Sequence, residues 1–190
     1  MIRQKLNKGT FGYPIYERNV VILRTVIYFL LSIAIFLLGY FSTGKKENLL
    51  TIVAVLGLLP SSKSLVSVIM YMRIPVFSDK IYQDISSKAG SVSVIYSMYL
   101  TSYKLNFAVN CFAVRGNHLI GYTEFQNCNI SACEEHIKDL LKQNSLKNIT
   151  VKLFRNTEQK KFMDRLEQLQ EIEKGKKEGE ILSLLCDISL

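Results

Sequence analysis

Two long apolar runs dominate the first part of the chain, Val20–Phe41 and Leu49–Met72, whereas residues 74–190 mix apolar, polar and charged positions in ordinary globular proportions. As a helix, the first run extends about 33 Å, enough for a hydrocarbon core of about 30 Å. Its one charge, Arg24, stands a turn from the start, where a long side chain reaches back to the headgroups; Tyr40 and Phe41 form an aromatic anchor at the far end. A cleaved signal peptide has a shorter apolar core and a small-residue cleavage site, which Gly39-Tyr40-Phe41-Ser42 does not supply. In the second run Pro60-Ser61-Ser62-Lys63-Ser64 interrupts the apolar residues. Two readings are open: a span kinked near Pro60, with serine hydroxyls covering the carbonyl that proline frees, or a span ending there with Ser61–Arg73 lying on the membrane surface. The nearly continuous apolar sequence Leu65–Met72 favours the kinked span.

Beyond the second run the period changes. Pro75 stops a helix, Ser78-Asp79 offers an N-cap for a short helix to about Ser87, and Gly90 ends it. Val92, Val94, Tyr96, Met98 and Leu100 then alternate with Ser93, Ile95, Ser97, Tyr99 and Thr101, predicting one strand with a constant face. Leu105–Val114 and His118–Phe125 flank Arg115-Gly116-Asn117, a tight hairpin signal. Ser131 with Glu134 reads as a capping box for a helix with the apolar stripe Cys133, Ile137, Leu140 and Leu141. Lys147–Phe154 alternates as a fourth strand, and Thr157 opens a helix with Phe162, Leu166, Leu169 and Ile172 on one face. Residues 173–179 read as a solvated charged linker, and Ile181–Leu190 as a last strand or short helix. The expected fold class is α+β: a two-helix transmembrane hairpin followed by a small α-β-β-β-α-β-α domain with a mixed sheet. The expected divisions are a basic stub (1–19), a first span (20–41), an outer loop (42–48), a second span (49–73) and the globular domain (74–190).

Charge changes the picture only through its placement. The chain carries 24 Lys/Arg against 16 Asp/Glu. Residues 74–190 hold fifteen of the bases and fourteen of the acids, so nearly all the excess flanks the apolar runs and argues against a nucleic-acid partner. Arg3, Lys5, Lys8, Arg18 and Arg24 precede or open the first run, while Lys45 and Lys46 stand between the two. The positive-inside bias therefore puts the N-terminus in the cytoplasm of a multi-pass protein of the cell membrane, and two spans return the domain to the same side. Asn129-Ile130-Ser131 and Asn148-Ile149-Thr150 match a glycosylation pattern that has meaning only in a secretory lumen.

Candidate chemistry is sparse. Gly57–Ser64 falls one glycine short of a phosphate-binding loop and lies in an apolar segment rather than after a strand of a nucleotide-binding sheet. Cys128, Cys133 and His136 are the metal candidates, with Cys111 and His118 nearby in sequence; their spacing is not that of paired Cys-x-x-Cys ligands, and no cofactor is expected. Glu124 is the one catalytic candidate, and as a strand-end carboxylate it is expected to be a solvated surface group.

The α-β-β-β-α-β order resembles the core of the restriction-endonuclease-like fold, in particular nuclease-related domains attached to membrane spans. That resemblance implies a metal-binding Asp on the second strand and an acid-x-Lys pair on the third. Here the second strand offers Asn106 and Asn110, Glu124 matches the acid, and Gln126 stands where the lysine would be. Lys5-Leu6-Asn7-Lys8-Gly9, Phe11-Gly12-Tyr13, Val55–Ser64, Ala113-Val114-Arg115-Gly116-Asn117 and Gly121-Tyr122-Thr123-Glu124 also resemble a family of small uncharacterised two-span proteins of Gram-positive gut bacteria. Its members are sometimes labelled O-linked N-acetylglucosamine transferase-like, but this chain has neither the helical repeats nor the length for such an enzyme. The expected function is a membrane-tethered cytoplasmic interaction or regulatory module. It would meet the lipid bilayer and a protein partner or a second copy of itself. The alternative is a degenerate or unusual enzyme with a restriction-endonuclease-like domain, using Glu124, His118 or His136. A pore or transporter subunit would need oligomers, because one hairpin encloses no path.

Overall fold

A computed structural model of the chain describes residues 6–103 and 105–190; Arg3 and Lys5, two of the bases used above for orientation, lie outside them. Contacts divide the chain into two units, Pro14–Ile74 on the one hand and, on the other, the segment up to Tyr13 joined with Pro75–Leu190.

The first unit is a helical hairpin of α1 (Tyr13–Thr43) and α2 (Leu49–Met72), both long and apolar enough to cross a membrane. α1 starts seven residues earlier than the apolar run indicates. Hydropathy marks where lipid is tolerated, not where a helix begins, and Pro14 sits in the first turn, where its missing N–H costs nothing. The loop between the helices shrinks accordingly to residues 44–48, closed by Asn48, whose side chain accepts from the Thr51 amide at 2.9 Å. α2 runs unbroken through Pro60, so Ser61–Met72 continues the same helix. The Ser61 hydroxyl donates to Gly57 O at 3.0 Å, one residue beyond the carbonyl that proline frees. Gly57–Ser64, the near-match to a phosphate loop, is thus ordinary helix.

Small residues hold the two helices together. Thr25, Ser32 and Gly39 recur at seven-residue spacing on α1 and are buried with Ala54, Ser61 and Ser64 of α2. Thr25 Oγ1 and Ser64 Oγ meet at 2.7 Å, and a Cβ on Gly57 would stand 2.8 Å from Ser32 Oγ. This close backbone approach is how helices associate where no hydrophobic drive separates them from lipid. Leu30, Leu38, Phe41, Val55 and Leu59 remain exposed around the outside.

In the second unit α3 (Asp79–Ala89) precedes the meander β1 (Ser93–Thr101), β2 (Asn106–Arg115) and β3 (His118–Thr123); α4 (Ile130–Gln143) then leads to β4 (Thr150–Arg155), followed by α5 (Gln159–Leu169) and α6 (Glu178–Ile188). The sheet order is β1-β2-β3-β4, with β4 parallel to β3 and the other pairs antiparallel. Helices cover both faces. Cys133, Ile137 and Leu141 of α4 and Ile181 and Leu185 of α6 pack on one, and Ile85 of α3 with Phe162, Leu166 and Leu169 of α5 on the other. The tail is a helix, and its last residues reach the sheet through a bridge between Ser189 and Leu100. α4 is capped by Asn129, whose Oδ1 accepts from the Ala132 amide at 3.1 Å, and not by a box at Ser131; Glu134 instead accepts from the Leu153 amide on the free edge of β4 at 2.7 Å.

β1 does not keep a constant face. Val94 and Tyr96 pack against the α3/α5 core, but Met98 and Leu100 belong to the opposite core, and β2 changes phase likewise between Val109 and Cys111. The switch occurs at Ser97 and Asn110, which lie opposite one another between the pairs Tyr96↔Cys111 and Met98↔Val109. Ser97 has φ +54, a left-handed conformation that turns the following side chains over.

The edge of β1 is closed from both chain ends. Tyr96 N donates to Gly9 O at 2.8 Å, Leu190 N to Tyr99 O at 3.0 Å, and Lys8 Nζ to Ser189 O at 2.7 Å. Phe11 stacks on Tyr82 with centroids 4.2 Å apart. Residues 6–12 are therefore a strap on the domain and not a free basic stub.

Glu178 departs most from expectation. In place of a solvated linker residue it is 2% exposed at the start of α6, where its carboxylate accepts from Gly175 N at 2.8 Å, Gly116 N at 2.9 Å and Ser93 Oγ at 3.2 Å. Gly116, at φ +60, supplies the left-handed turn that aims its amide at this carboxylate. Burial alone raises the Glu178 carboxyl, but the two amides, the Ser93 hydroxyl and the charge of Arg115 outweigh it and hold the group below the ordinary glutamate range. Glu178→Ala should cost about 1–3 kcal/mol by orphaning those donors. A depressed folded-state pKa adds stability that is present above the unfolded value and lost as pH falls through the folded one. The gap in melting temperature between wild type and Glu178→Gln, measured on the full chain in detergent, should therefore be widest near neutrality and narrow as pH falls below the ordinary glutamate value of about 4.3.

Candidate functional site

The catalytic candidate Glu124 is not a solvated group. It lies half-buried just past the end of β3, and its Oε1 accepts from Asn110 Nδ2 at 2.6 Å and from Ser78 N, ahead of α3, at 3.0 Å. The Glu124 amide in turn donates to Asn110 Oδ1 at 2.9 Å. Asn110 is 5% exposed, so this reciprocal pair satisfies a polar side chain that the phase switch places inside the fold. The pair is where the nuclease-like resemblance locates acidic ligands, yet Asn106 and Gln126 are exposed. The negative charge of Glu124 also acts on Tyr122, whose phenol is pushed up to about 12, first by burial and then by that carboxylate.

The metal candidates are distributed among core positions. Cys128 and Cys133 are buried free thiols of the α4/α6 core, hydrogen-bonded to each other. That bond lowers the Cys128 thiol and raises the Cys133 thiol, which burial raises further. The His136 ring lies 5.9 Å from that of Phe107, with Nε2 buried and without a hydrogen-bond partner. Among the described residues no three His, Cys, Asp or Glu side chains converge as a metal site. Cys111 is sealed in the opposite core, where burial drives its thiol far up.

A groove of about 470 Å³ lies between β3, β4 and α5. Its floor includes Ile120 and Phe154, and its walls carry His118, Lys152, Lys161 and Arg165, with Asp164 the one acid among the lining residues. α5 builds one wall because Lys161, Arg165 and Gln168, at i, i+4 and i+7, flank the buried stripe of Phe162, Leu166 and Leu169. β3 and β4 build the other: His118 pairs in register with Thr150, and Lys152 follows two positions on, on the same face. Lys152 Nζ stands 5.4 Å from the Phe154 ring centroid, and Arg165 Nη1 donates to Gln168 Oε1 at 2.9 Å. Of these four bases only His118 stands out in the sequence as candidate chemistry. The helical spacing of Lys161 and Arg165 was visible, but nothing local reveals that β4 lies alongside them.

No protein-family model, curated protein or solved structure matches the chain.

Glu124→Ala should lower stability by about 1–3 kcal/mol, because it strands the buried Asn110 amide and the Ser78 N–H, whereas Glu124→Gln keeps an acceptor oxygen and should cost clearly less. Thermal melts of both variants of the full chain would measure the difference.

Proposed function

We propose that the chain is a membrane-tethered interaction or regulatory module, with the hairpin in the lipid bilayer and the N-terminal strap and globular domain both in the cytoplasm. One observation carries this reading. The segment entering α1 and the segment leaving α2 are tied to neighbouring points of the domain, Gly12 N to Ser97 Oγ at 3.4 Å and Ser78 N to Glu124 Oε1 at 3.0 Å. A domain that grips both chain connections to its spans is built to couple its own state to them. The bases Lys8, Arg18 and Arg24 on the strap side of α1, and Arg73 at the end of α2, favour the cytoplasmic orientation. A protein partner or a second copy of the chain would receive the output.

The reciprocal bond between Asn110 and Glu124 favours one second reading, a degenerate enzyme on a restriction-endonuclease-like domain, since it joins the second and third strands where that family holds its metal. Rescue of a deletion strain separates the two: Glu124→Gln is expected to rescue as well as wild type, and loss of rescue with an unchanged melt would restore the enzymatic reading. Topology is tested in intact cells with a membrane-impermeant thiol reagent. Lys46→Cys, in the loop between the helices, should be labelled, while Tyr103→Cys, at a fully exposed position of the domain, should react only after lysis. Labelling of Tyr103→Cys from outside would invert the proposed orientation.

A further inference from the structure

We propose that the groove between β3, β4 and α5 binds a small, multiply charged organic phosphate, an inference that rests on the regulatory reading above and names the ligand such a module would sense. Charge is the first argument. Residues 74–190 are nearly neutral as a whole, yet the fold collects Lys152, Lys161, Arg165 and His118 around one concavity against Asp164 alone. These residues come from two strands and a helix, so no sequence run accounts for the clustering.

The second argument is that the cations are available. Among the described residues neither Lys152 nor Arg165 has a carboxylate in salt-bridge contact: Lys152 lies over an aromatic ring and Arg165 touches the neutral amide of Gln168. Lys161 reaches Glu158 at 3.3 Å, but that pair is exposed and costs little to exchange. A guanidinium and two ammonium groups around one opening match phosphate oxygens, with Thr150 and Gln168 as further donors.

Size and lining narrow the class. At about 470 Å³ the groove falls within the range of small-molecule sites, and the apolar floor of Ile120 and Phe154 suits the organic part of a nucleotide or sugar phosphate. A nucleic-acid duplex is far broader than such a groove.

The test uses the full chain in nanodiscs of phosphatidylcholine, titrated calorimetrically with pyrophosphate and with ATP. At least one should bind, more weakly as salt rises, and Lys152→Ala/Arg165→Ala should lose at least about tenfold in affinity. Lys138→Ala/Lys142→Ala, on α4 across the sheet, should leave binding unchanged. Melts of both double variants should match wild type, as expected for exposed or half-exposed side chains. Absence of binding by either probe at about 5 mM, or equal affinity in the Lys152/Arg165 double variant, would overturn the proposal. Doping the nanodiscs with phosphatidylglycerol distinguishes the source of the phosphate: undiminished pyrophosphate binding supports a soluble ligand, and competition reassigns the groove to a lipid headgroup. A chain that shows the proposed topology but ignores both probes loses this inference alone, whereas inverted labelling with phosphate binding intact removes the tethered cytoplasmic module and leaves the groove's chemistry standing.

Discussion

The hydrogen-bonded contact of Asn110 with Glu124, beneath the left-handed turn at Ser97, is the constraint around which the domain is arranged. A strand pair buried on both faces gains nothing from a polar side chain unless every donor and acceptor is met. Here the Asn110 amide donates to the Glu124 carboxylate and accepts from the Glu124 N–H, and the same carboxylate oxygen also takes the Ser78 N–H at the entrance to α3. The same dislocation turns Met98 and Leu100 into the core beneath α4 and α6 while Val94 and Tyr96 stay under α3 and α5. A two-strand segment thereby contributes to both cores, at the cost of one strained residue.

The hairpin follows a different logic. Its seam is made of hydroxyls and glycine, and its large apolar side chains face outward. In water this distribution would be inverted. Helices in lipid instead gain from close approach, and Thr25 with Ser64 supplies a hydrogen bond that lipid cannot replace.

How much of this was legible varies with the range of the interaction. The two spans, the order of strands and helices and the Gly116-Asn117 turn depend on local composition and period, and the chain forms them close to where its sequence indicates. The phase switch was not legible, because Ser97 sits at an unremarkable place in an alternating run and nothing around it in the sequence marks a φ of +54. Glu178 was not legible for the same reason: within a stretch of Lys, Glu and Gly its surroundings look solvated, and of the two amides that hold it one, Gly116 N, comes from a hairpin 62 residues earlier. Glu124 was found as a residue but not as a role. The basic groove escaped almost entirely, since each cation alone is an ordinary surface charge and only the parallel placement of β4 beside β3, under α5, assembles them.

The strap of residues 6–12 makes the globular domain discontinuous in sequence, with the whole hairpin as an insertion within it. In synthesis the strap leaves the ribosome first, yet the residues that receive it, Tyr96 on β1 and Ser189 at the tail, are made after both spans are complete. Closure of the domain thus awaits synthesis of the whole hairpin, an order set by chain connectivity. A fragment cut at Pro75 would lack the strap, leaving the Tyr96 amide on the edge of β1 open to pairing with another strand.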